Sequence, residues 1–415
     1  MGSTRLESSF DQRPISATLR PADARELAGV VAGAFGEATA VYPMGGETSI
    51  DFGLPASRPG VGLSTTGLDR VIDYPARDMT ITVESGVRLA DLNAVLGAER
   101  QEVPWDVPAA ALATVGGIIA TNFNGARRYG CGAIRDHLIG VTAVDGRGVT
   151  FHGGGRVVKN VAGYDFCKLL CGSLGTLAII TQVTLKVRPL PEKRGWAAVY
   201  PDSLPQAEEL LAALEHDPIT PTAIELLGGR EAMVAPLDPD RPLAILVMFE
   251  GMDCEVDWSL GRLREMVGRL RIRQLDAPFT VPHDFHERLV EFPARGGAAI
   301  VARGCLPPGQ LAGFLPKVWQ VDPDCALQAH AGNGLFMLRM ARIPSTGLSR
   351  SFVAFLQAEA RAHHGSLVIL SNPAGVEVTR QSTFGGGNAP YHVLESVKRQ
   401  FDPANILNPG RFLYP

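Results

Sequence analysis

The stretch ATVGGIIATNFNG, residues 113–125, places two adjacent glycines among small and short polar residues. Glycine carries no side chain, so a glycine pair lets the backbone lie flat against a large planar ligand. Thr114, Thr121 and Asn122 add short hydrogen-bonding groups around the pair. Taken alone, the stretch is also typical of a buried, tightly turned loop, so the neighbouring segments are needed to choose between the two interpretations.

Two further glycine-bearing segments lie in the first half of the chain. PMGGETS, residues 43–49, follows a short β-prone run, and its adjacent glycines can turn backbone N–H groups towards an anion such as a diphosphate. KNVAGYD, residues 159–165, continues into GSLGTL, residues 172–177. None of them matches G-x-G-x-x-G or a P-loop, so a Rossmann or P-loop mechanism is not supported. Three such segments together favour a ligand site over a tightly turned loop.

Composition narrows the class of protein. Of the 415 residues, 46% are hydrophobic and 20% are charged, which excludes a disordered chain, and the net charge of −4 argues against a protein that wraps nucleic acid. The six cysteines form no Cys-x-x-Cys group, so we expect reduced thiols rather than an iron–sulfur cluster or structural zinc. The first twenty residues have no apolar core and no apolar stretch is long enough to span a membrane, so we expect a soluble cytoplasmic protein.

Hydrophobic periodicity predicts alternating helices and strands. It indicates helices over residues 21–36 and 87–96, and strands over 80–84 and 139–144. A proline-rich linker follows at 189–193, and helical and strand patterns alternate in the second half. This arrangement predicts a chain of two or three domains with mixed helix and sheet.

The order of the motifs carries a family resemblance. PMGGET, ATVGGIIATN, KNVAGYD, GSLGTL and the C-terminal FDPANILNPGRF (residues 401–412) resemble the FAD-linked oxidases of the vanillyl-alcohol oxidase (PCMH) type. Within that family the sequence is most similar to the FAD-binding E subunits of glycolate oxidase, densely over residues 15–195 and again at the C-terminal end. The resemblance implies an α+β fold, with a two-subdomain PCMH-type FAD-binding domain over 1–193. An α+β cap, or substrate, domain would span 194–400, and residues 401–415 would return to the FAD domain.

The resemblance also implies which residues bind FAD. They are Pro43, Met44, Gly45, Gly46, Glu47, Thr48, Ser49, Pro108, Thr114, Gly116, Gly117, Thr121, Asn122, Gly125, Gly172, Gly175, Thr176, Ile179 and Asn408. Glu47 departs from the family pattern, which usually has a third glycine there, because a carboxylate beside a diphosphate is repulsive unless it points away. No histidine follows the glycines of this loop, where some relatives have one that tethers the flavin. We therefore expect FAD to be bound non-covalently.

The catalytic residues are less evident from the sequence. Related hydroxy-acid dehydrogenases carry His-x-Gly-Asp-Gly-Asn-x-His and a later Glu-His-Gly, which together hold a metal and supply a base. Here the first segment is HAGNGLFM, residues 330–337, so His330 remains while Met337 replaces the second histidine. The later segment, residues 365–375, has no Glu-His pair. We therefore expect no metal site and leave the catalytic residue unassigned, with His330 as a weak candidate; Arg127 and Arg128 are candidates for holding a substrate carboxylate.

These features lead to one principal hypothesis and two alternatives. The principal one is the FAD-binding subunit of a glycolate (2-hydroxy acid) dehydrogenase complex that exchanges electrons with its partners, a catalytic FAD subunit that oxidises glycolate to glyoxylate and an iron–sulfur subunit. It would be cytoplasmic and held peripherally at the inner membrane through those partners, with no nucleic acid and no membrane insertion of its own. The alternatives are a self-sufficient FAD-dependent oxidoreductase of a 2-hydroxy acid or alcohol, and a non-catalytic scaffold with an idle flavin fold.

Overall fold

The computed structural model describes residues 14–155, 163–274, 284–385 and 390–412. In these ranges the strands are β1 Ile15–Leu19, β2 Ala40–Met44, β3 Gly60–Ser64, β4 Val71–Asp73, β5 Thr80–Glu84, β6 Gln101–Glu102, β7 Leu138–Asp145, β8 Thr150–Gly154, β9 Ala178–Lys186, β10 Arg188–Pro189, β11 Lys193–Tyr200, β12 Ala223–Gly228, β13 Leu243–Gly251, β14 Arg273–Gln274, β15 Ile300–Cys305, β16 Ala326–His330, β17 Leu335–Met340 and β18 Ser366–Ser371.

The α-helices of the same ranges are α1 Ala24–Glu37, α2 Leu89–Ala98, α3 Val115–Thr121, α4 Arg128–Cys131, α5 Ile134–His137, α6 Phe166–Leu170, α7 Leu204–His216, α8 Asp253–Arg269, α9 Phe285–Val290, α10 Leu311–Val321, α11 Ala358–Ala362, α12 Arg380–Phe384 and α13 Tyr391–Phe401. A π-helical segment, Ser349–Gln357, leads into α11. The predicted α+β class is confirmed. None of these helices is both long and apolar enough to cross a membrane.

The chain folds into two compact units. The described residues of the first unit are 14–124, 132–155, 163–190 and 390–412; those of the second are 125–131, 191–274 and 284–385. The domain boundaries at 193 and 400 stay a prediction. The two compact units do not coincide with the predicted domains: residues 125–131 belong to the second unit, and α13 belongs to the first.

The first unit contains a parallel sheet, in the order β1-β3-β2, and an antiparallel sheet, in the order β4-β5-β9-β7-β8. α1 begins where the side chain of Asp23 accepts a hydrogen bond from the Glu26 amide, and it ends at Ala38 in the left-handed conformation. Its buried residues pack in a core that also takes in Ile406 and Leu407 from the C-terminal end. The helices predicted over 21–36 and 87–96, and the strands over 80–84 and 139–144, are confirmed as α1, α2, β5 and β7.

The second unit is built on an eight-stranded antiparallel sheet in the order β14-β11-β13-β12-β16-β17-β15-β18. Successive side chains along each strand point to opposite faces of the sheet. One face, with Leu226 and Val247 among its residues, packs against α7, α8 and α10 in a single apolar core. The other face carries polar residues from several strands, and the register places Glu225 of β12 directly opposite His330 of β16.

Candidate functional site

Residues 43–49, which we call the first glycine loop, follow β2 and pack tightly against the chain just before α3. A methyl group on Gly45 would lie 2.1 Å from Oγ1 of Thr114, and one on Gly46 would lie 1.7 Å from the carbonyl oxygen of Leu112. Only glycine therefore fits at these two positions. Glu47 has a φ of 58°, in the left-handed region that glycine favours, and its side chain is exposed. The backbone at Glu47 thus has a left-handed conformation that a glycine would adopt without strain.

α3 begins at the paired glycines. Thr114 caps it by accepting a hydrogen bond from the Gly117 amide, at 3.4 Å, and Asn122 ends it with a φ of 52°. Thr121 donates its hydroxyl hydrogen back to the carbonyl of Gly117, at 2.9 Å. Thr114 and Thr121, two of the residues predicted to bind FAD, are therefore used in the hydrogen bonds of the helix itself.

The second glycine loop, residues 172–176, lies at the C-terminal end of α3. The amide of Gly172 donates to the Ile119 carbonyl and that of Leu174 donates to the Ala120 carbonyl, both at 2.9 Å. A methyl group on Gly175, whose φ is 65°, would lie 3.2 Å from Nδ2 of Asn408 and 3.5 Å from Cγ of Pro43. The structure therefore brings together residues of four of the predicted segments.

Three other predicted FAD residues take no part in these loop contacts. Ile179 lies on β9 and is buried in the apolar core that packs against α1. Pro108 is half-buried and lies just before the turn that precedes α3. Gly125 belongs to the second unit. Residues 159–162 of the KNVAGYD motif lie outside the described residues.

Three buried polar atoms border this group of loops. Ser85 Oγ, Asn122 Oδ1 and Ser173 Oγ have no hydrogen-bond partner among the described residues. Ser85 accepts the Gly116 amide through its carbonyl, at 2.8 Å, while Asn122 and Ser173 flank the contact between α3 and the second loop. Buried polar groups without a partner are costly, so their presence indicates a ligand with several hydrogen-bonding groups. Together with the glycine-lined loops, they fit FAD.

The polar face of the second unit's sheet contains a buried cluster around Glu225. Nδ1 of His330 lies 2.7 Å from Oε1 of Glu225, and Nε2 of Gln328 donates to Oε2 at 2.8 Å. Glu225 is fully buried and His330 is 4% exposed. Met337, also buried, lies opposite Gln328 in the register between β16 and β17. In the described ranges no three His, Cys, Asp or Glu side chains come together in a metal-binding group.

Arginines lie on the same sheet face or next to it. Arg127 and Arg194 both bind Glu250, whose carboxylate lies 3.5 Å and 2.8 Å from their respective nitrogens. Arg127, a candidate for holding substrate, is therefore charge-compensated within its own unit. Burial, followed by the positive charge of Arg128, lowers the pKa of Arg303 on β15.

Sequence reasoning missed Glu225, Glu250 and Arg303. Each is the lone charged residue in an otherwise apolar strand, within AIELLG (223–228), LAILVMFEG (243–251) and IVARGC (300–305). A single charge at an alternating position of such a strand is the signal that could have identified them. The partners His330 of Glu225 and Arg127 of Glu250 could not be identified in this way, because each pair joins residues more than a hundred positions apart.

Comparison with known proteins gives consistent matches. Residues 15–154 match the FAD binding domain family, and residues 190–412 match the family described as FAD linked oxidases, C-terminal domain. A D-lactate dehydrogenase of Archaeoglobus fulgidus is 24% identical over 95% of this chain and 90% of that protein. Glycolate oxidase subunit GlcE of Escherichia coli is 26% identical over 82% of this chain and 84% of that protein. A solved structure of alkyldihydroxyacetonephosphate synthase has the same fold, with a TM-score of 0.71 and 18% identity, over 94% of this chain and 75% of that one.

Proposed function

Because this chain belongs to the FAD-linked oxidases, whose C-terminal domain matches residues 190–412, we propose that it is the FAD-binding subunit of a glycolate dehydrogenase complex. FAD is its cofactor, and it is an FAD-dependent oxidoreductase of the 2-hydroxy-acid class. Bound FAD supplies the two-electron acceptor that oxidation of a hydroxy acid requires. In the proposed complex, glycolate is oxidised to glyoxylate mainly on a catalytic partner subunit, and an iron–sulfur subunit exchanges electrons with this chain.

The residue that carries this proposal is Met337. Its buried side chain occupies the position where the resemblance places the second imidazole of a metal-bound hydroxy-acid site. A thioether is a soft ligand that is poorly suited to the hard divalent ions used for hydroxy-acid binding. His330 alone then remains of the family's pair, with its Nδ1 bound to Glu225. The loss of the metal-binding pair favours substrate oxidation on a partner subunit over oxidation by this chain alone.

The loops of the first unit would hold FAD without a covalent bond. Residues 43–49 would take the diphosphate, since their backbone comes close to the chain at 112–114 and only glycine fits there. α3 and residues 172–176 would line the flavin and ribityl chain, with the polar atoms of Ser85, Asn122 and Ser173 as partners. We place the complex in the cytoplasm, held at the inner membrane by partner subunits.

The Glu225–His330 pair favours a second candidate function, a self-sufficient oxidoreductase. A carboxylate bound to one imidazole nitrogen fixes the tautomer and leaves the other nitrogen to accept a proton, as in many catalytic dyads. His330 would then take the hydroxyl proton of a 2-hydroxy acid while the hydride leaves the substrate carbon. Because one observation supports each role, the two candidates have to be separated by experiment.

The experiment is anaerobic reduction of the bound flavin, followed by absorbance at 450 nm, with glycolate and with D-lactate. The purified chain is tested alone and together with the partner subunits that co-purify with it. We expect reduction within the assay only when the partners are present. Rapid reduction of the lone chain would overturn the proposal in favour of the second candidate if His330→Asn abolishes it. The control His216→Asn, at an exposed position, should then keep it. A chain that assembles with its partners but contains no FAD would overturn both and indicate a scaffold.

A further inference from the structure

The C-terminal segment of the first unit makes polar contacts with the second glycine loop and with the chain on either side of the first. Three of its side chains, Lys398, Asn408 and Arg411, make these contacts, and Asp402 pairs with Lys398. We call these four residues the C-terminal clasp. All of their partners named below lie in the same unit.

Lys398 binds the second glycine loop from within the protein. Lys398 is only 4% exposed. Its Nζ donates to the carbonyl of Thr176 at 2.7 Å, to the carbonyl of Leu407 at 2.9 Å and to Oδ2 of Asp402 at 2.6 Å. An ammonium group is costly to bury unless all of its hydrogens have acceptors, and these three bonds provide them. A buried lysine so placed fixes the Thr176 carbonyl relative to the C-terminal segment.

Asp402 completes the buried charge pair. Besides Lys398, it accepts hydrogen bonds from the amides of Ile406, at 3.0 Å, and Leu407, at 2.7 Å. The carboxylate therefore holds the turn after α13 in place, and this turn carries the chain towards Asn408. Loss of Asp402 would leave the ammonium group of Lys398 buried without its counter-ion.

Asn408 connects the second glycine loop to strand β2. Its side-chain amide donates to the carbonyl of Leu174 at 2.8 Å, and its backbone amide donates to the carbonyl of Val41 at 2.9 Å. β2 leads directly into the first glycine loop, so one residue connects the second loop to the strand that precedes the first. Asn408 was predicted to bind FAD; in the structure its side-chain amide holds the loop backbone.

Arg411 fixes the chain that follows the first glycine loop. Its guanidinium donates to the carbonyls of Leu54 and Phe52, both at 2.9 Å, and also to that of Ile50. The Leu54 amide in turn donates to the Arg411 carbonyl, at 3.1 Å. Arg411 is 6% exposed, so these charge-assisted bonds are shielded from solvent.

We propose that the C-terminal clasp positions the two glycine loops for FAD, so that these residues control FAD affinity by holding loop backbone rather than by contacting the cofactor. Lys398, Asn408 and Arg411 connect residues 50–54 and 172–176 to one C-terminal segment, and Asp402 holds Lys398 in place. Preorganised loops bind a ligand more tightly because less conformational freedom is lost on binding. The clasp residues are positioning residues, and their effect should be visible in the FAD-free protein as well.

The test compares Lys398→Met and Arg411→Met with Arg399→Met. Arg399 is adjacent to Lys398 on α13, and its side chain is 78% exposed, so it is a matched control. FAD is removed, and the dissociation constant for added FAD is measured by flavin fluorescence. We expect the two clasp variants to raise this constant at least about tenfold, as for lost charge-assisted hydrogen bonds, and the control to stay within about twofold. Folded clasp variants with an unchanged dissociation constant would overturn the proposal.

Hydrogen exchange separates positioning from general destabilisation. In the FAD-free protein, the amides of Gly172 and Leu174 should exchange faster in Lys398→Met, while those of β7 keep their protection. If Lys398→Met does not fold, Asn408→Ala removes one neutral side-chain bond and serves as the second variant. Faster exchange at Leu174 together with weaker FAD binding supports the clasp. Unchanged exchange at that loop in a folded variant refutes it, even if stability falls.

Discussion

The carboxylate of Glu225 and the imidazole of His330 lie 2.7 Å apart, with Oε1 of the one facing Nδ1 of the other in the interior of the second unit. Glu225 is also the acceptor for Gln328, so one fully buried carboxylate serves two neighbours. Because Gln328 and His330 are both buried, water cannot easily replace Glu225 as their hydrogen-bond partner. The pair is therefore a stability element as well as a candidate for chemistry.

We predict that Glu225→Ala lowers the free energy of unfolding by about 2–4 kcal/mol, because it removes a fully buried carboxylate that is hydrogen-bonded to two buried polar side chains. Glu208→Ala, at an exposed position of α7, should change it by less than about 0.5 kcal/mol. Urea denaturation followed by circular dichroism measures both. Equal effects of the two substitutions would contradict the role assigned to Glu225.

Gly46→Ala should weaken FAD binding and lower stability, because its methyl group would collide with the Leu112 carbonyl. Gly33→Ala is the matched control: it lies on α1 with nothing within 4 Å of the added carbon, so it should raise the free energy of unfolding by about 0.5–1 kcal/mol. FAD titration and thermal unfolding of both variants check the pair. A Gly46→Ala variant that binds FAD as tightly as the unsubstituted chain would show that the first loop does not need its close approach.

Thiol reactivity should differ strongly between Cys167 and Cys254. Burial, and then the charge of Asp165, raise the pKa of Cys167 to about 11. A raised pKa means less thiolate at any pH below it. At pH 8 the reactive thiolate of Cys167 is therefore about a hundredfold scarcer than that of a cysteine with the ordinary pKa of 9.0. Cys254 is exposed and should be alkylated first. Mass spectrometry after timed iodoacetamide treatment reads both sites, and early modification of Cys167 in the folded chain would be inconsistent with its burial.

Acid precipitation should release all of the FAD into the supernatant. Residues 43–49 contain no histidine, cysteine or tyrosine that could form a bond to the flavin. The measurement is the flavin absorbance of supernatant and pellet after trichloroacetic acid. Yellow colour that stays with the precipitated protein would require a covalent attachment elsewhere in the chain.

The sequence predicts the first unit better than the second. The glycine loops could be identified because a close approach of backbone leaves only glycine possible, and such a requirement is visible in the residues themselves. Even there, the roles of Thr114, Thr121 and Asn408 in holding the loops depend on hydrogen bonds that only the folded chain reveals.

In the second unit, the pairing of Glu225 with His330 depends on the register between β12 and β16, which are separated by about a hundred residues. Local periodicity predicts that a strand exists and which residues share a face, but it does not select the neighbouring strand. For the same reason, the polar face of this sheet could not be assembled from the motif around His330 alone. The lone charges in apolar strands indicate where to look, and the topology then supplies their partners.

The membership of residues 125–131 in the second unit affects any recombination of this protein with a relative. Arg127 binds Glu250, and the Gly130 amide donates to the Thr222 carbonyl at 3.0 Å, so this short piece is integral to the second unit although the first unit precedes and follows it in the chain. A chimera with a single crossover near residue 190 would combine a parental 125–131 with a foreign Glu250 and Thr222. Exchange of the whole unit therefore takes four junctions, two around the short insert and two around the sheet, with both pieces taken from the same parent.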